Sequence, residues 1–115
     1  MERDEFRRYC ITKKGVIEDF PFDELTVVFK VLGKIFALAD VVFKRINLKC
    51  DPQNAVWLRE KYPCVIPGYH MNKTHWNTVV IDGSVDDKLL YRWIDDSYDL
   101  VVAKLTKAQR KKLEG

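Results

Sequence analysis

The stretch from Thr26 to Cys50 constrains the fold more than any other part of the chain, because its apolar residues recur at alternate positions and turn signals interrupt them. Val27, Phe29 and Val31 fall on one side of an extended segment, and Val28, Lys30 and Leu32 on the other, which is the period of a β-strand. Gly33 breaks the run and invites a tight turn. Lys34 to Ala39 resumes it, and Arg45 to Cys50 alternates again, with Ile46, Leu48 and Cys50 inward and Asn47 and Lys49 outward. Three consecutive short strands with tight connections predict an antiparallel meander with one buried face.

The rest of the chain supplies helices to cover that face. Phe6, Tyr9 and Cys10 sit at helical spacing within residues 2–12, Lys13 and Lys14 suit the negative helix end, and Gly15 can take the left-handed stop. Val16 to Phe22 reads as a loop whose Phe20 and Phe22 are expected to pin it to the core. Asp51-Pro52 is a strong helix start, and Pro63 stops that helix after Tyr62. Trp76 to Ile81 is a clear strand, closed by Asp82-Gly83. Ser84 is expected to cap a long helix with Asp86 and Asp87 in its first turn and Leu89, Leu90, Trp93, Ile94 and Leu100 as its apolar stripe. Thr106 and Gln109 have the spacing of a capping box for a last short helix. The expected fold is an α+β two-layer sandwich, an antiparallel β-sheet with helices packed on one side, in a single domain over residues 1–115.

A hydrophobic content of 47% lets a chain of this length bury a core without metal or disulfide staples. The net charge of +3 hides an uneven distribution. Residues 26–50 carry Lys30, Lys34, Lys44, Arg45 and Lys49 against Asp40 alone, and residues 104–115 carry five cations against Glu114, so the remainder is acidic. Such segregation can steer an anionic partner to one face, although terminal lysines also suit a helix end. Cys10, Cys50 and Cys64 are odd in number and widely spaced, which fits thiols used as small core residues in a reducing compartment. Glu2, Arg3, Asp4 and Glu5 are wrong for a secretory signal, and the apolar run Ile35–Ala39 is too short for a bilayer. A cytoplasmic, membrane-free monomer is expected.

Recognised catalytic motifs are absent: no phosphate-binding glycine loop, no Gly-x-Ser-x-Gly elbow and no His-Glu-x-x-His occurs. The odd separation of His70 and His75 would put their rings on opposite faces of a strand, so neither a metal site nor a cofactor is expected. Cys64 beside a histidine would need an electropositive, partly exposed setting to act as a nucleophile, and a buried core role suits it better. No enzyme activity is expected.

Polar and aromatic groups concentrate instead between Pro67 and Thr78, where both histidines of the chain lie. Such density exceeds what a buried strand needs, since each buried polar group requires a partner. Tyr69, His70, Asn72, His75, Trp76 and Asn77 are therefore candidate ligand-binding residues. Lys30, Lys34, Lys44, Arg45, Lys49 and Lys73 are candidates for nucleic-acid contact, which needs cations for phosphates and stacking or hydrogen-bonding groups beside them. Structural roles compete for the same residues: Trp76 as core, Asn72-Lys73 as a turn, His70 as a partner for backbone.

The run Pro67-Gly68-Tyr69-His70-Met71-Asn72-Lys73-Thr74-His75-Trp76-Asn77-Thr78 resembles the signature of the MmcQ/YjbR family. Glu18-Asp19-Phe20-Pro21-Phe22, Val28-Phe29-Lys30-Val31, Lys34-Ile35-Phe36-Ala37-Leu38, Leu48-Lys49-Cys50-Asp51-Pro52 and Ser97-Tyr98-Asp99-Leu100-Val101 resemble further family segments in the same order. The resemblance implies a CyaY-like (frataxin-like) fold in a bacterial protein, and a "double wing" of β-hairpins proposed to grip DNA. The expectation is a small non-enzymatic DNA-binding module with weak sequence specificity. The alternative is a module for a small anionic ligand or a protein partner, using the Tyr69–Asn77 surface. Iron handling is not expected, because the first helix mixes Arg3, Arg7 and Arg8 with its acids.

Overall fold

The computed structural model describes all residues from Met1 to Gly115. Six strands form one antiparallel sheet in the order β1-β2-β3-β4-β6-β5. The strands are β1 (Val16–Asp19), β2 (Thr26–Val31), β3 (Lys34–Asp40), β4 (Arg45–Lys49), β5 (Val65–Pro67) and β6 (Trp76–Val80). The helices are α1 (Arg3–Ile11), α2 (Pro52–Lys61), α3 (Asp87–Ala103) and α4 (Lys107–Glu114). The chain meanders through β1 to β4, leaves the sheet through α2, returns at the far edge as β5, and fills the gap with β6.

The helices lie on one face of this sheet, giving the α+β two-layer architecture expected from the alternation. Phe6 and Cys10 of α1, Ala55 and Leu58 of α2, and Leu90, Trp93, Ile94 and Val101 of α3 join the inward residues of the strands in one core. No helix is long and apolar enough to cross a membrane. The opposite face has only a small cluster of its own, Val28, Leu38 and Trp76, with Ile35 and Met71 against it. That face is where a ligand can reach the sheet.

Capping follows the local sequence in two places. The Asp51 carboxylate accepts from the Asn54 N–H ahead of α2, and Thr106 and Gln109 form the reciprocal box that starts α4. Three expectations need correction. Val16–Asp19 is a strand rather than loop, because its backbone pairs with β2 from Val16–Val31 to Asp19–Val28, a contact that side-chain periodicity over four residues does not register. Phe20 and Phe22 do not pin the loop to the core and remain 48% and 66% exposed. The loop leaves the sheet edge, and carboxylates shape it instead: Asp19 accepts from the Phe20 N–H and Asp23 from the Leu25 N–H, both at 2.8 Å. Asp86 rather than Ser84 caps α3, accepting from the Leu89 N–H at 2.9 Å, while the Ser84 N–H is held in the preceding turn by Asp82.

The buried stripe of α3 is Leu90, Trp93, Ile94, Ser97 and Val101, with Leu100 to one side. Ser97 has a specific task. Pairing of β3 with β4 ends at Ala37–Leu48, beside a bulge in β2–β3. The Ser97 hydroxyl fills the opening, donating to the Phe36 carbonyl at 2.6 Å and accepting from the Lys49 N–H at 2.8 Å. Two buried backbone groups left without strand partners are thereby satisfied.

Candidate functional site

Between β5 and β6 the chain folds residues 68–75 into a compact loop held by its own polar groups. Gly68 comes close to β6: its N–H donates to the Trp76 carbonyl at 2.9 Å, and a Cβ there would meet the Trp76 oxygen and Cβ at 2.9 Å. Only glycine fits that approach. The Lys73 ammonium donates to the Gly68 carbonyl at 3.0 Å, and Asn72 accepts from the Thr74 N–H at 2.9 Å through its side chain and from the Trp76 N–H at 3.0 Å through its carbonyl. Arg59 of α2 clamps the loop from the helix side. Its Nε–H donates to Asn77 Oδ1 at 2.6 Å, and its Nη2 donates to the carbonyls of Lys73 and Trp76. The Asn77 amide in turn donates to the Ala55 carbonyl at 3.3 Å.

This arrangement sorts the candidate ligand residues. Asn77 faces the helices and is 3% exposed, and Trp76 packs on Val28 and Leu38. Asn72 and Lys73 hold the loop together, and the His75 carbonyl accepts from the Cys50 N–H at 2.8 Å. Tyr69 and His70 are exposed, and His75 is half-buried. His70 has φ 58°, in the left-handed region, and its ring lies beside that of Tyr69 with centroids 4.1 Å apart.

Tyr69 and His70 border a depression of about 430 Å³ on the helix-free face. Its buried base includes Leu38 and Thr78, with Asn47 half-buried beside them; Phe22, Arg45 and Met71 complete the sides. Strand pairing sets Asn47 opposite Thr78. The Thr78 hydroxyl accepts from the Tyr69 N–H at 2.8 Å and donates to Asn47 Oδ1, so one side chain fixes both the loop and the asparagine. The Asn47 amide nitrogen makes no hydrogen bond within the protein. The Arg45 guanidinium lies 4.9 Å from the Tyr69 ring centroid and belongs to none of the ion pairs. Asp23 and Asp40 also line the depression. No sequence motif marks Asn47, Thr78, Phe22 or Asp23 as site residues, although the alternation of β4 places Asn47 outward.

The candidate nucleic-acid residues occupy two ends of the sheet. Lys34 and Lys49 lie at one end with Lys104, and the Lys49 ammonium is held below its usual range by burial first and then by these two cations. Lys44 and Arg45 lie at the other end, separated from Lys49 by the length of β4, roughly 13 Å. Lys30 is paired with Asp19 at 3.0 Å, and that contact lowers the carboxyl pKa.

A family model described as YjbR matches residues 11–100. The chain belongs to the YjbR family. It is 42% identical to the uncharacterized protein YbdF of Escherichia coli O157:H7, over 89% of this chain and 91% of that protein. It is 36% identical to the uncharacterized protein YjbR of Escherichia coli strain K12, over 95% of this chain and 94% of that one. The crystal structure of Deinococcus radiodurans protein DR2400, a DUF419 domain, superposes with a TM-score of 0.89 at 44% identity, covering 96% of this chain and 86% of that one. The resemblance carried by residues 67–78 is therefore a true family relationship, and the YjbR fold is this six-stranded sheet with one open face.

The thiols of this YjbR-family chain are core residues. All three are free and buried, and burial pushes Cys10 and Cys50 above the ordinary thiol range, with an Asn54 contact partly opposing the shift at Cys50. Cys64 is 3% exposed within the helix-side core. No three His, Cys, Asp or Glu side chains converge on one point.

Proposed function

We propose that this YjbR-family protein is a nucleic-acid-binding module that works through the helix-free face of its sheet. One observation carries the reading: cations stand at both ends of the sheet, and its open face carries a polar and aromatic depression between them. Lys34, Lys49 and Lys104 at one end of the sheet, and Lys44 at the other, neutralise phosphates, while the open face between them meets sugars and bases. The cations are few, so binding is weak, sequence-tolerant and salt-sensitive, with affinity falling by a log–log slope of about 0.9 for each phosphate neutralised on a duplex. DNA is the ligand expected from the family resemblance.

A small anionic ligand fits the depression less well. Arg45 is its one arginine or lysine, and Asp23 and Asp40 face the same space. An anion there would be repelled as much as attracted.

Fluorescence anisotropy with labelled DNA over a salt series tests the proposal. Binding that weakens with salt and is lost in a Lys34→Glu, Lys49→Glu double variant supports it. Absence of binding at low salt, or binding indifferent to salt, removes it.

A further inference from the structure

We infer that the depression bordered by Phe22, Arg45, Asn47, Tyr69 and His70 is a recognition pocket for one unpaired nucleobase, so that the protein prefers single-stranded to duplex nucleic acid. The preference for a strand rests on the nucleic-acid reading above; the pocket's affinity for a base does not.

Size is the first argument. At about 430 Å³ the depression lies within the range of small-molecule sites, roughly 300–1,000 Å³, as do three other hollows of about 390–420 Å³, so volume admits a ligand and the lining has to select it. One heterocycle enters such a space, whereas a base held in a duplex stack does not, and pockets of this kind take bases that are single-stranded or extruded.

Chemistry is the second. A nucleobase is neutral, flat, and edged by alternating donors and acceptors. The pocket offers the matching set. Donors are the unpaired Asn47 amide and the Arg45 guanidinium; acceptors are the carboxylates of Asp23 and Asp40, and the Thr26 hydroxyl serves as either. Asp40 already accepts from the Lys44 N–H at 2.7 Å, and Asp23 from the Leu25 N–H, which holds both carboxylates in place. The mixture of one cation with two carboxylates suits a neutral ligand with both kinds of edge.

Apolar surface is the third. Phe22 is 66% exposed at the rim and Tyr69 52%, while Leu38 lies in the base. An exposed phenylalanine gains nothing from solvent, and a base laid against it would bury its face; base–aromatic stacking is tolerant of sequence because every base has a π-face. The site is also preorganised. Thr78 fixes Asn47 and the Tyr69 backbone, and Arg45 is already placed over the Tyr69 ring, so little ordering remains for the ligand to induce.

The test measures full-length protein against three probes: a mixed-sequence single-stranded DNA, the same strand annealed to its complement, and the four free nucleosides, by anisotropy and calorimetry. The single strand is expected to bind about tenfold more tightly than the duplex. Phe22→Ala, which removes an exposed ring and leaves the core intact, is expected to weaken single-strand binding about tenfold and duplex binding much less. Asn47→Ala should act in the same direction, with circular dichroism confirming its fold. Nucleosides bound weakly and without salt dependence, with the loss in Phe22→Ala, would also support the pocket. Equal affinity for strand and duplex, or a Phe22→Ala variant that binds single strands normally, overturns the inference while the nucleic-acid reading stands. Nucleoside binding with no DNA binding of either form overturns that reading and leaves the pocket assigned to free nucleosides. Binding of none of the three overturns both.

Discussion

Replacing Arg59 by alanine should loosen the loop that carries Tyr69 and His70, and the structure allows the effect to be sized. The guanidinium bridges α2 to β6 and the loop through Asn77 Oδ1 at 2.6 Å and the carbonyls of Lys73 and Trp76. Asn77 is 3% exposed, so water cannot readily replace the lost donor. Leaving one buried acceptor unpaired costs roughly 1–3 kcal/mol, and a hydrogen bond from a charged donor is worth roughly 1.5–3 kcal/mol. These overlap, which gives a total of about 2–4 kcal/mol. For a domain of this size the melting temperature should fall by about 8–16 °C. A thermal melt measures that shift, and urea unfolding followed by tryptophan fluorescence measures the free-energy loss, with an unchanged denaturant slope marking a true stability change. Arg59→Lys keeps the charge but not the fork, and should recover less than half of the deficit. A double-mutant cycle with Asn77→Ala should return a coupling of about 1–2 kcal/mol. A melting temperature lowered by less than about 2 °C, or strict additivity with Asn77→Ala, would refute the idea that this clamp holds the loop.

Three further outcomes are expected. Ser97→Ala leaves the Phe36 carbonyl and Lys49 N–H without partners in a site with no solvent exposure, so stability should fall by about 2–3 kcal/mol and the Lys49 amide should exchange faster with deuterium. Gly68→Ala drives a methyl into Trp76 and should cost about 1–3 kcal/mol in urea unfolding, along with the pocket's ligand affinity. The Tyr9 phenol is pushed up to about 12 by burial and then by its hydrogen bond to Asp95. The unfolded chain therefore releases this proton first, and stability contributed by the neutral phenol is present below pH ~10 and lost as pH rises toward ~12. Thermal melts across that window should show a smaller alkaline loss for Tyr9→Phe than for the parent protein; an identical slope would sink the assignment.

Most elements of this chain are marked by local signals. The alternation from Thr26 to Cys50 marks strands because the side-chain period of a strand is written into neighbouring residues. Asp51-Pro52 and Thr106 with Gln109 mark helix starts because a cap acts within one turn. Where two local signals compete the reading slips: Ser84 and Asp86 can both cap α3, and only the turn at Asp82 removes Ser84 from contention. β1 escaped because an edge strand of four residues is defined by its partner's backbone rather than by its own pattern.

Neighbouring residues were enough to specify the family and the sheet-and-helix layering, whereas the loop that presents Tyr69 and His70 emerges from contacts with β6 and α2. Tertiary structure decided which of the polar residues form a site. Asn47 meets Thr78 across a strand pair, Arg59 reaches Asn77 from another element, and Phe22 comes to the rim from the far side of the meander. Antiparallel reversal likewise split one basic stretch of sequence between two ends of the sheet. Period and capping are properties of neighbouring residues, whereas these juxtapositions exist only once the strands have paired and the helices have closed one of the two faces.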